Sequence, residues 1–218
     1  MRRVHWIRPG DPPAAFPPVT EALQEPAGLL AAGGDLSPER LQAAYARGIF
    51  PWYSDGEPVL WWSPDPREVL FPQQFHRSRS LRRTLGRGVF RITANTAFAE
   101  VIEACAAARA AASGTWITPA MRAAYRELHA RGIAHSIEAW AGDELAGGLY
   151  GVRTGRVFSG ESMFSRRDDA SKAALAWLVA ECPATGIELI DCQMPSDHLR
   201  TLGSGPMARA QFLEFLVS

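Results

Sequence analysis

Residues 156–202 constrain the fold more than any other stretch, because they predict a strand, a helix and a second strand in succession. Residues 156–164 (RVFSGESMF) have the aromatic, alternating pattern of a strand. Apolar residues then recur at the i, i+3, i+4, i+7 spacing of a helix from Leu175 to Cys182. This order predicts a sheet with a helix packed against it.

Capping and helix-breaking residues set the expected ends of this helix. Asp168 or Asp169 can cap its start, and Pro183 with Gly186 is expected to end it. Residues 187–194 (IELIDCQM) then return to the two-residue period of a strand.

The second strand carries the first candidate site. Asp191 and Gln193 share one of its faces with Leu189. Ligands in α/β proteins tend to bind near the carboxyl ends of strands. Spacing alone leaves two interpretations open, a structural pair of satisfied polar groups and a pair that holds a ligand.

The strand at residues 156–164 contains a glycine at its centre. Strict alternation would place Phe158 and Met163 on opposite faces. Gly160 favours a bulge, which would reset the phase and let both side chains line one cavity.

The N-terminal residues 1–60 are rich in Pro and Gly around one clear helix, which begins with Ser37 as cap and Pro38 at its first position. The loop after it, residues 48–53 (GIFPWY), is aromatic and either packs onto the rest of the chain or stacks on a ligand. Packing is the favoured interpretation, because aromatic residues are mostly core.

A helix over residues 97–112, a break at Ser113-Gly114 and a second helix beginning at Thr118-Pro119 precede residues 134–164, where turns separate three strands. Three antiparallel strands, a helix and a further strand predict an α+β core in the order of an acetyltransferase-like domain. We therefore expect a small N-terminal α/β module at 1–63 and a GNAT-like (acetyltransferase-like) catalytic domain at 64–218.

Charge is balanced overall but not locally. The chain has 23 Lys and Arg against 23 Asp and Glu, and Lys172 is its only lysine. Residues 77–91 hold six arginines and no acidic residue. An unbroken basic patch of this kind predicts contact with RNA phosphates, whereas a solvated helix face usually alternates in sign.

Several classes of protein and site are not expected. The chain has no apolar run long enough for a membrane helix and no signal peptide, so we expect a cytoplasmic protein. Its three cysteines fit small buried residues rather than disulfides or a metal site. The histidines lack ligand spacing, and no GxSxG nucleophile motif is present. We expect no metal and no bound cofactor.

Blocks spread along almost the whole chain carry a family resemblance. They are GLLAAGGDLSPERL (28–41), RGIFPW (47–52), LWWSPDPR (60–67), GTWIT (114–118), AHSIE (134–138), GESMFSR (160–166), ASK (170–172) and LIDCQ (189–193) followed by DHL. In these blocks the sequence resembles the leucyl/phenylalanyl-tRNA–protein transferases.

The resemblance implies that Leu or Phe is moved from aminoacyl-tRNA to the N-terminal amine of proteins that begin with Arg or Lys, which marks those proteins for degradation. It also implies the same two-part fold, and we expect a monomer. The N-terminal amine is partly neutral at cytoplasmic pH, and the aminoacyl ester is already activated, so positioning can supply much of the rate.

The same resemblance implies a role for each of several groups of residues. These are Gln193, Asp191 and Glu161 for catalysis; Phe158, Met163, Leu149 and Ile190 for an aminoacyl pocket; Trp52, Trp116, Tyr45 and Tyr125 around the terminal adenosine; and Arg77, Arg79, Arg82, Arg83 and Arg87 for the tRNA backbone. Leu149 stands where the family often has Met. Glu161 would either attract the basic N-terminus or hold the site's hydrogen bonds.

Our hypothesis for the chemistry begins with Asp191 accepting a hydrogen bond from the Gln193 side-chain nitrogen. The Gln193 oxygen would then hold the attacking amine, while the ribose hydroxyl beside the ester helps to move the proton. We expect an open cavity at these two residues, flanked by Phe158 and Trp116.

Two other functions stay open at this point. A coenzyme A-dependent N-acetyltransferase would share the fold, but residues 164–172 have no glycine and two aspartates where a diphosphate would bind. A non-catalytic RNA-binding module would explain the arginines and would bind tRNA regardless of its aminoacylation.

Overall fold

The computed structural model describes residues 4–113 and 115–217. Gly114, which belongs to the GTWIT block and to the expected helix break, lies outside the described residues. Two mixed sheets organise the chain, one of four strands and one of seven.

The small sheet lies in the N-terminal part. Its strands are β1 (His5–Ile7), β2 (Leu29–Gly33), β3 (Phe50–Pro51) and β4 (Leu60–Trp62), in the order β1-β2-β4-β3. Helix α1 (Pro38–Tyr45) follows Ser37 as predicted, although the Ser37 side chain makes no capping bond. A short 3-10 turn covers Val19–Glu21.

The large sheet holds the strands β5 (Arg67–Leu70), β6 (Arg91–Ala94), β7 (Ala134–Ala141), β8 (Glu144–Thr154), β9 (Val157–Ser165), β10 (Leu189–Gln193) and β11 (Gly205–Met207). Their order is β11-β5-β10-β9-β8-β7-β6. The three consecutive antiparallel strands expected from the sequence are β7, β8 and β9. Strands β9 and β10 pair in parallel, and the helix between them in the chain provides the crossover connection that parallel pairing requires.

Helices cover both faces of the large sheet. They are α2 (Arg79–Gly86), α3 (Phe98–Ser113), α4 (Pro119–Ala130), α5 (Ala170–Thr185), α6 (Asp197–Thr201) and α7 (Arg209–Glu214), with a 3-10 turn at Pro72–Gln74. Residues of α5 form one apolar cluster with one face of the sheet. Residues of α3 and α4 form another cluster that continues into the small sheet.

The predicted end of α5 at Gly186 is confirmed, although Pro183 itself does not end the helix. Pro183 lies inside the helix, which continues to Thr185 and ends at Gly186 in the left-handed conformation (φ 72°). A proline in the last turn removes only one hydrogen bond, so the helix survives it. Asp169 occupies the capping position, but its carboxylate instead accepts bonds from Thr84 of α2 and Lys172.

The predicted bulge in β9 is confirmed. The pairing of β8 with β9 shifts between Tyr150 and Gly151, which places Glu161 as the extra residue between Gly160 and Ser162. Phe158 and Met163 then belong to the same apolar cluster beneath α5.

Strands β4 and β5 flank the Ser-Pro-Asp-Pro sequence at 63–66 and belong to different sheets. This segment is therefore the point at which the chain passes from the small sheet to the large one.

Candidate active site

Glu161 lies at the centre of the candidate site. The bulge in β9 turns it toward the face of the sheet that carries α3 and α4, where it is buried. Strands β9 and β10 pair only as far as Ser159 and Asp191. Glu161 on β9 and Gln193 on β10 lie just beyond the end of this pairing.

Three side chains surround the Glu161 carboxyl group. The Tyr45 hydroxyl lies 2.7 Å from Oε1 and the Tyr125 hydroxyl lies 3.1 Å from Oε2. The Gln193 side-chain Nε2 donates to Oε1 at 2.7 Å. The two tyrosine hydroxyls are also hydrogen-bonded to each other. Glu161 thus joins the small sheet's helix α1, helix α4 and the end of β10.

Burial raises the pKa of Glu161 to about 7, although its bonds from Tyr45 and Tyr125 oppose that rise. A carboxyl group with this pKa is partly protonated near neutral pH.

The predicted bond between Asp191 and the Gln193 side chain is wrong. Asp191 accepts from the Gln193 backbone N–H at 2.9 Å, while the Gln193 side chain bonds to Glu161. Gln193 has a left-handed backbone (φ 65°), and the pairing of β10 with β5 shifts at this point. This conformation directs the amide away from Asp191.

Asp191 is fully buried, against the expectation that it borders an open cavity. Gln193 is also buried, with 8% exposure, against the same expectation. Two surface grooves lie elsewhere, one beside Phe71 and Phe215 and one along α3 beside Leu145. Because Asp191 is buried, it can influence the site only through the residues that it contacts.

Arg67, at the start of β5, is a site residue that the sequence interpretation missed. Its Nε and Nη2 each donate to Asp191 at 2.7 Å, and its Nη1 donates to the carbonyl of Gly48 at 3.1 Å. Its guanidinium group lies 4.7 Å from the ring centres of both Phe50 and Phe212. The signal in the sequence was an arginine at the start of a short strand. If such an arginine is buried, its guanidinium group requires a buried acid as partner, and Asp191 was a candidate.

The residues expected to form the aminoacyl pocket are brought together. Leu149, Phe158 and Ile190 are buried in one apolar cluster, and Met163 packs against it while partly exposed. Met163 is therefore the member of this group that reaches the surface.

The four aromatic residues expected around an adenosine separate into two kinds. Trp52 is 38% exposed and Trp116 is partly exposed, so both offer a ring surface. Tyr45 and Tyr125 are buried against Glu161 and present no ring face to a base in this structure. Tyr53 and Thr118 are joined by their hydroxyls at 3.3 Å, so the loops that carry the two tryptophans adjoin.

The aromatic loop at 48–53 mostly packs, as favoured from the sequence. Ile49, Phe50 and Tyr53 are buried, and Gly48 lies against the side chains of Phe212 and Leu213.

The basic patch is exposed and free of acidic partners. All of its members lie on or beside α2, and none forms an ion pair within the described part of the chain: Arg77, Arg79, Arg82, Arg83 and Arg87. Leu81 anchors α2 from the buried side. Lys172 forms an ion pair with Asp169 at 3.0 Å.

Residues 4–113 and 115–217 contain no cluster of His, Cys, Asp and Glu arranged to bind a metal ion. No helix within these ranges has the length and apolar character needed to cross a membrane. Cys105 and Cys182 are buried free thiols, and Cys192 is a partly buried one.

Comparison with known proteins places the chain among characterised sequences. Residues 69–217 match the family profile described as "Leucyl/phenylalanyl-tRNA protein transferase", and residues 34–65 match the profile of that family's N-terminal domain. A protein of Pseudomonas putida (strain W619) named "Leucyl/phenylalanyl-tRNA--protein transferase" is 59% identical over 92% of this chain and 89% of its own length. A protein of the same name from Cellvibrio japonicus (strain Ueda107) is 54% identical over 98% of this chain and 90% of its own.

Likeness to solved structures is much weaker. A conserved protein of unknown function from Bacteroides thetaiotaomicron superposes with a TM-score of 0.45 at 11% identity, over 92% of this chain and 70% of that protein. A likeness at this level carries no conclusion about fold or function.

Proposed function

The chain belongs to the leucyl/phenylalanyl-tRNA–protein transferase family, and from this premise we propose how its buried polar cluster serves the reaction. The protein is an aminoacyltransferase that passes an amino acid from tRNA to a protein. We propose Leu and Phe as the amino acids moved, and the N-terminal amine of proteins that begin with Arg or Lys as the acceptor.

The reaction exchanges one bond for another without a cofactor. The neutral amine attacks the ester carbonyl carbon, the new C–N bond forms, and the ester C–O bond to the ribose breaks. The amine loses one proton and the released ribose oxygen gains one. The neighbouring ribose hydroxyl relays that proton, because a Gln side chain is too weak a base to remove it.

The observation that carries the proposal is the bond from Gln193 Nε2 to Glu161. It fixes which end of the amide faces inward and leaves the Gln193 oxygen free to accept a hydrogen bond from the attacking amine. Holding that amine at the ester is the kind of positioning that accelerates a bimolecular step. Asp191 and Arg67 are positioning residues, since Asp191 accepts from the Gln193 backbone N–H and Arg67 in turn holds the Asp191 carboxylate.

Glu161 was expected either to attract the basic N-terminus or to hold the site's hydrogen bonds, and the geometry favours the second role. A carboxyl group that is buried, only partly ionised near neutral pH and already bonded to three side chains is poorly suited to attract a basic N-terminus. We propose that Glu161 orients Gln193 and that residues other than Glu161 bind the charged side chain of the acceptor's Arg or Lys.

Phe158, Leu149 and Ile190 form the floor of the proposed aminoacyl pocket, with Met163 as its outer wall. Because Met is unbranched and flexible, it can move aside for a Leu or Phe side chain. Residues that branch at Cβ are stiff near the backbone and fit such a pocket less well.

The proposed tRNA contacts lie on the surface. Trp52 and Trp116 offer stacking surfaces to the terminal adenosine, and the arginines of α2 meet phosphates of the acceptor stem. We also propose that residues 1–63 and 64–218 are two structural units that share an apolar core, the second of them GNAT-like.

The test is transfer from radiolabelled leucyl-tRNA to a peptide that begins with Arg, with an Ala-starting peptide as the control. We expect label only in the first peptide. Gln193→Ala should reduce kcat by about 10²-fold or more, in line with the loss of a group that positions a reactant. Wild-type turnover in Gln193→Ala would refute the assigned role, and no transfer by the wild-type protein would refute the function.

A further inference from the structure

Arg109, near the end of α3, has an unusual set of contacts for an exposed arginine. Its Nε donates to the Ser162 hydroxyl at 3.0 Å, and its guanidinium carbon lies 5.7 Å from the ring centre of Trp116. Ser162 is the residue after Glu161, and the bulge turns both toward the same face. Arg109 therefore lies between the candidate catalytic cluster and an exposed tryptophan.

The charge of Arg109 is not neutralised by the protein. Within the ranges 4–113 and 115–217 it has no ion pair, and the bond to Ser162 uses only one of its five N–H donors. Neighbouring arginines behave differently, since Arg122 and Arg126 of α4 both pair with Glu103. A fixed guanidinium with free donors is suited to bind an anion.

We propose that Arg109 binds the phosphodiester immediately before the aminoacylated adenosine of tRNA. This proposal rests on the proposed function, which places an aminoacyl ester at Gln193 and its adenosine on Trp116. The phosphate next to that adenosine is one ribose away from the ester, so it is the first anion that a group beside both Trp116 and Ser162 can reach. The forked guanidinium matches two phosphate oxygens.

Ser162 has a defined part in this arrangement. It is almost fully buried and accepts from Arg109 Nε, so it fixes one edge of the guanidinium and leaves both Nη groups directed elsewhere. The aromatic face of Trp116 supports the flat side of the same group. Arg109 is thus held in place before any RNA binds.

Donors of increasing length test the proposal. They are 3′-leucyl-adenosine, which has no phosphodiester; leucyl-CpA, which has one; and leucyl-tRNA. Each is used with wild-type protein and Arg109→Gln, and with an Arg-starting peptide as acceptor. We expect Arg109→Gln to raise KM about ten- to hundredfold for leucyl-CpA and leucyl-tRNA, because a charged hydrogen bond is lost. KM for leucyl-adenosine should stay at the wild-type value.

Three controls make the result specific. Arg126→Gln removes a nearby exposed arginine that has an acidic partner, and should change KM for none of the donors. Arg83→Gln, in the basic patch, should raise KM for leucyl-tRNA without doing so for leucyl-CpA. Arg109→Lys keeps the charge and should show a smaller rise than Arg109→Gln.

An equal change in KM for all three donors in Arg109→Gln, or no change for any of them, would overturn the phosphate assignment. Failure of the wild-type protein to use any donor would instead overturn the proposed function, so the two failures are distinguishable.

Discussion

Glu161 gives the interior of this protein a group that changes charge near neutral pH. Its pKa rises to about 7 from an ordinary value of 4.5 because the carboxylate loses water on burial. The folded protein therefore holds this proton more tightly than the unfolded chain does. The contribution of Glu161 to stability is complete below pH 4.5 and is lost as the pH rises through about 7.

We predict that Glu161→Gln removes this pH dependence, because Gln imitates the protonated carboxyl group. The free energy of unfolding of the wild-type protein, relative to the variant, should fall by about 3 kcal/mol between pH 4.5 and pH 8. Urea unfolding at several pH values measures this difference. A constant difference across the range would show that Glu161 does not titrate there.

The buried pair of Arg67 and Asp191 allows stability and catalysis to be separated. Arg67→Met leaves the Asp191 carboxylate without its main partner and should destabilise the fold by about 3–5 kcal/mol. Adding Asp191→Leu removes the unpaired charge, so most of that stability should return. The double variant still lacks the acceptor for the Gln193 backbone N–H, and we expect its kcat to remain low. Wild-type kcat in the double variant would show that the pair serves stability alone.

The elements show how far a sequence can be interpreted before the structure is known. Strand–helix–strand order and the bulge at Gly160 followed from local patterns, because periodicity and glycine act over a few residues. The end of α5 at Gly186 was also predicted, whereas Pro183 lies inside the last turn, where a proline is tolerated. The partners of Gln193 could not be predicted, because one left-handed residue redirects its side chain toward a strand 32 positions away.

Close contact between β8 and β9 explains a glycine that the sequence did not single out. A Cβ atom on Gly151 would lie 2.3 Å from the Ser159 carbonyl oxygen and 2.5 Å from the Phe158 ring. We predict that Gly151→Ala destabilises the fold by about 1–3 kcal/mol or more, and that it impairs transfer by displacing Phe158.

The matched control is Gly205→Ala in the edge strand β11, where no atom lies within 4 Å of the added methyl group. Thermal melting of both variants gives the comparison. Equal melting temperatures would mean that β8 and β9 separate more easily than their contacts indicate.

At the scale of the whole molecule, a chain with no net charge carries five arginines without ion pairs, within its described residues, on and beside the one helix α2. We predict that replacing Arg79, Arg82 and Arg83 by Gln weakens tRNA binding and makes it less sensitive to salt. Each lost phosphate contact should reduce the slope of log K against log salt concentration by about 0.7–0.9. Filter binding at several salt concentrations measures the slope.

Arg131→Gln is the control for this experiment, because Arg131 is exposed but pairs with Glu39 and Glu127. Its slope should match that of the wild-type protein. An unchanged slope in the triple variant would place the RNA on another surface.

Hydrogen bonds join Glu161 with Tyr45, Tyr125 and Gln193, and the ring of Phe212 in α7 lies against the guanidinium group of Arg67. A chain still being made on the ribosome is surrounded by charged tRNA, yet it cannot assemble this cluster until residues 193 and 212 have been added. We expect the nascent polypeptide to remain inert toward the aminoacyl esters around it until those residues have been added and have folded into place.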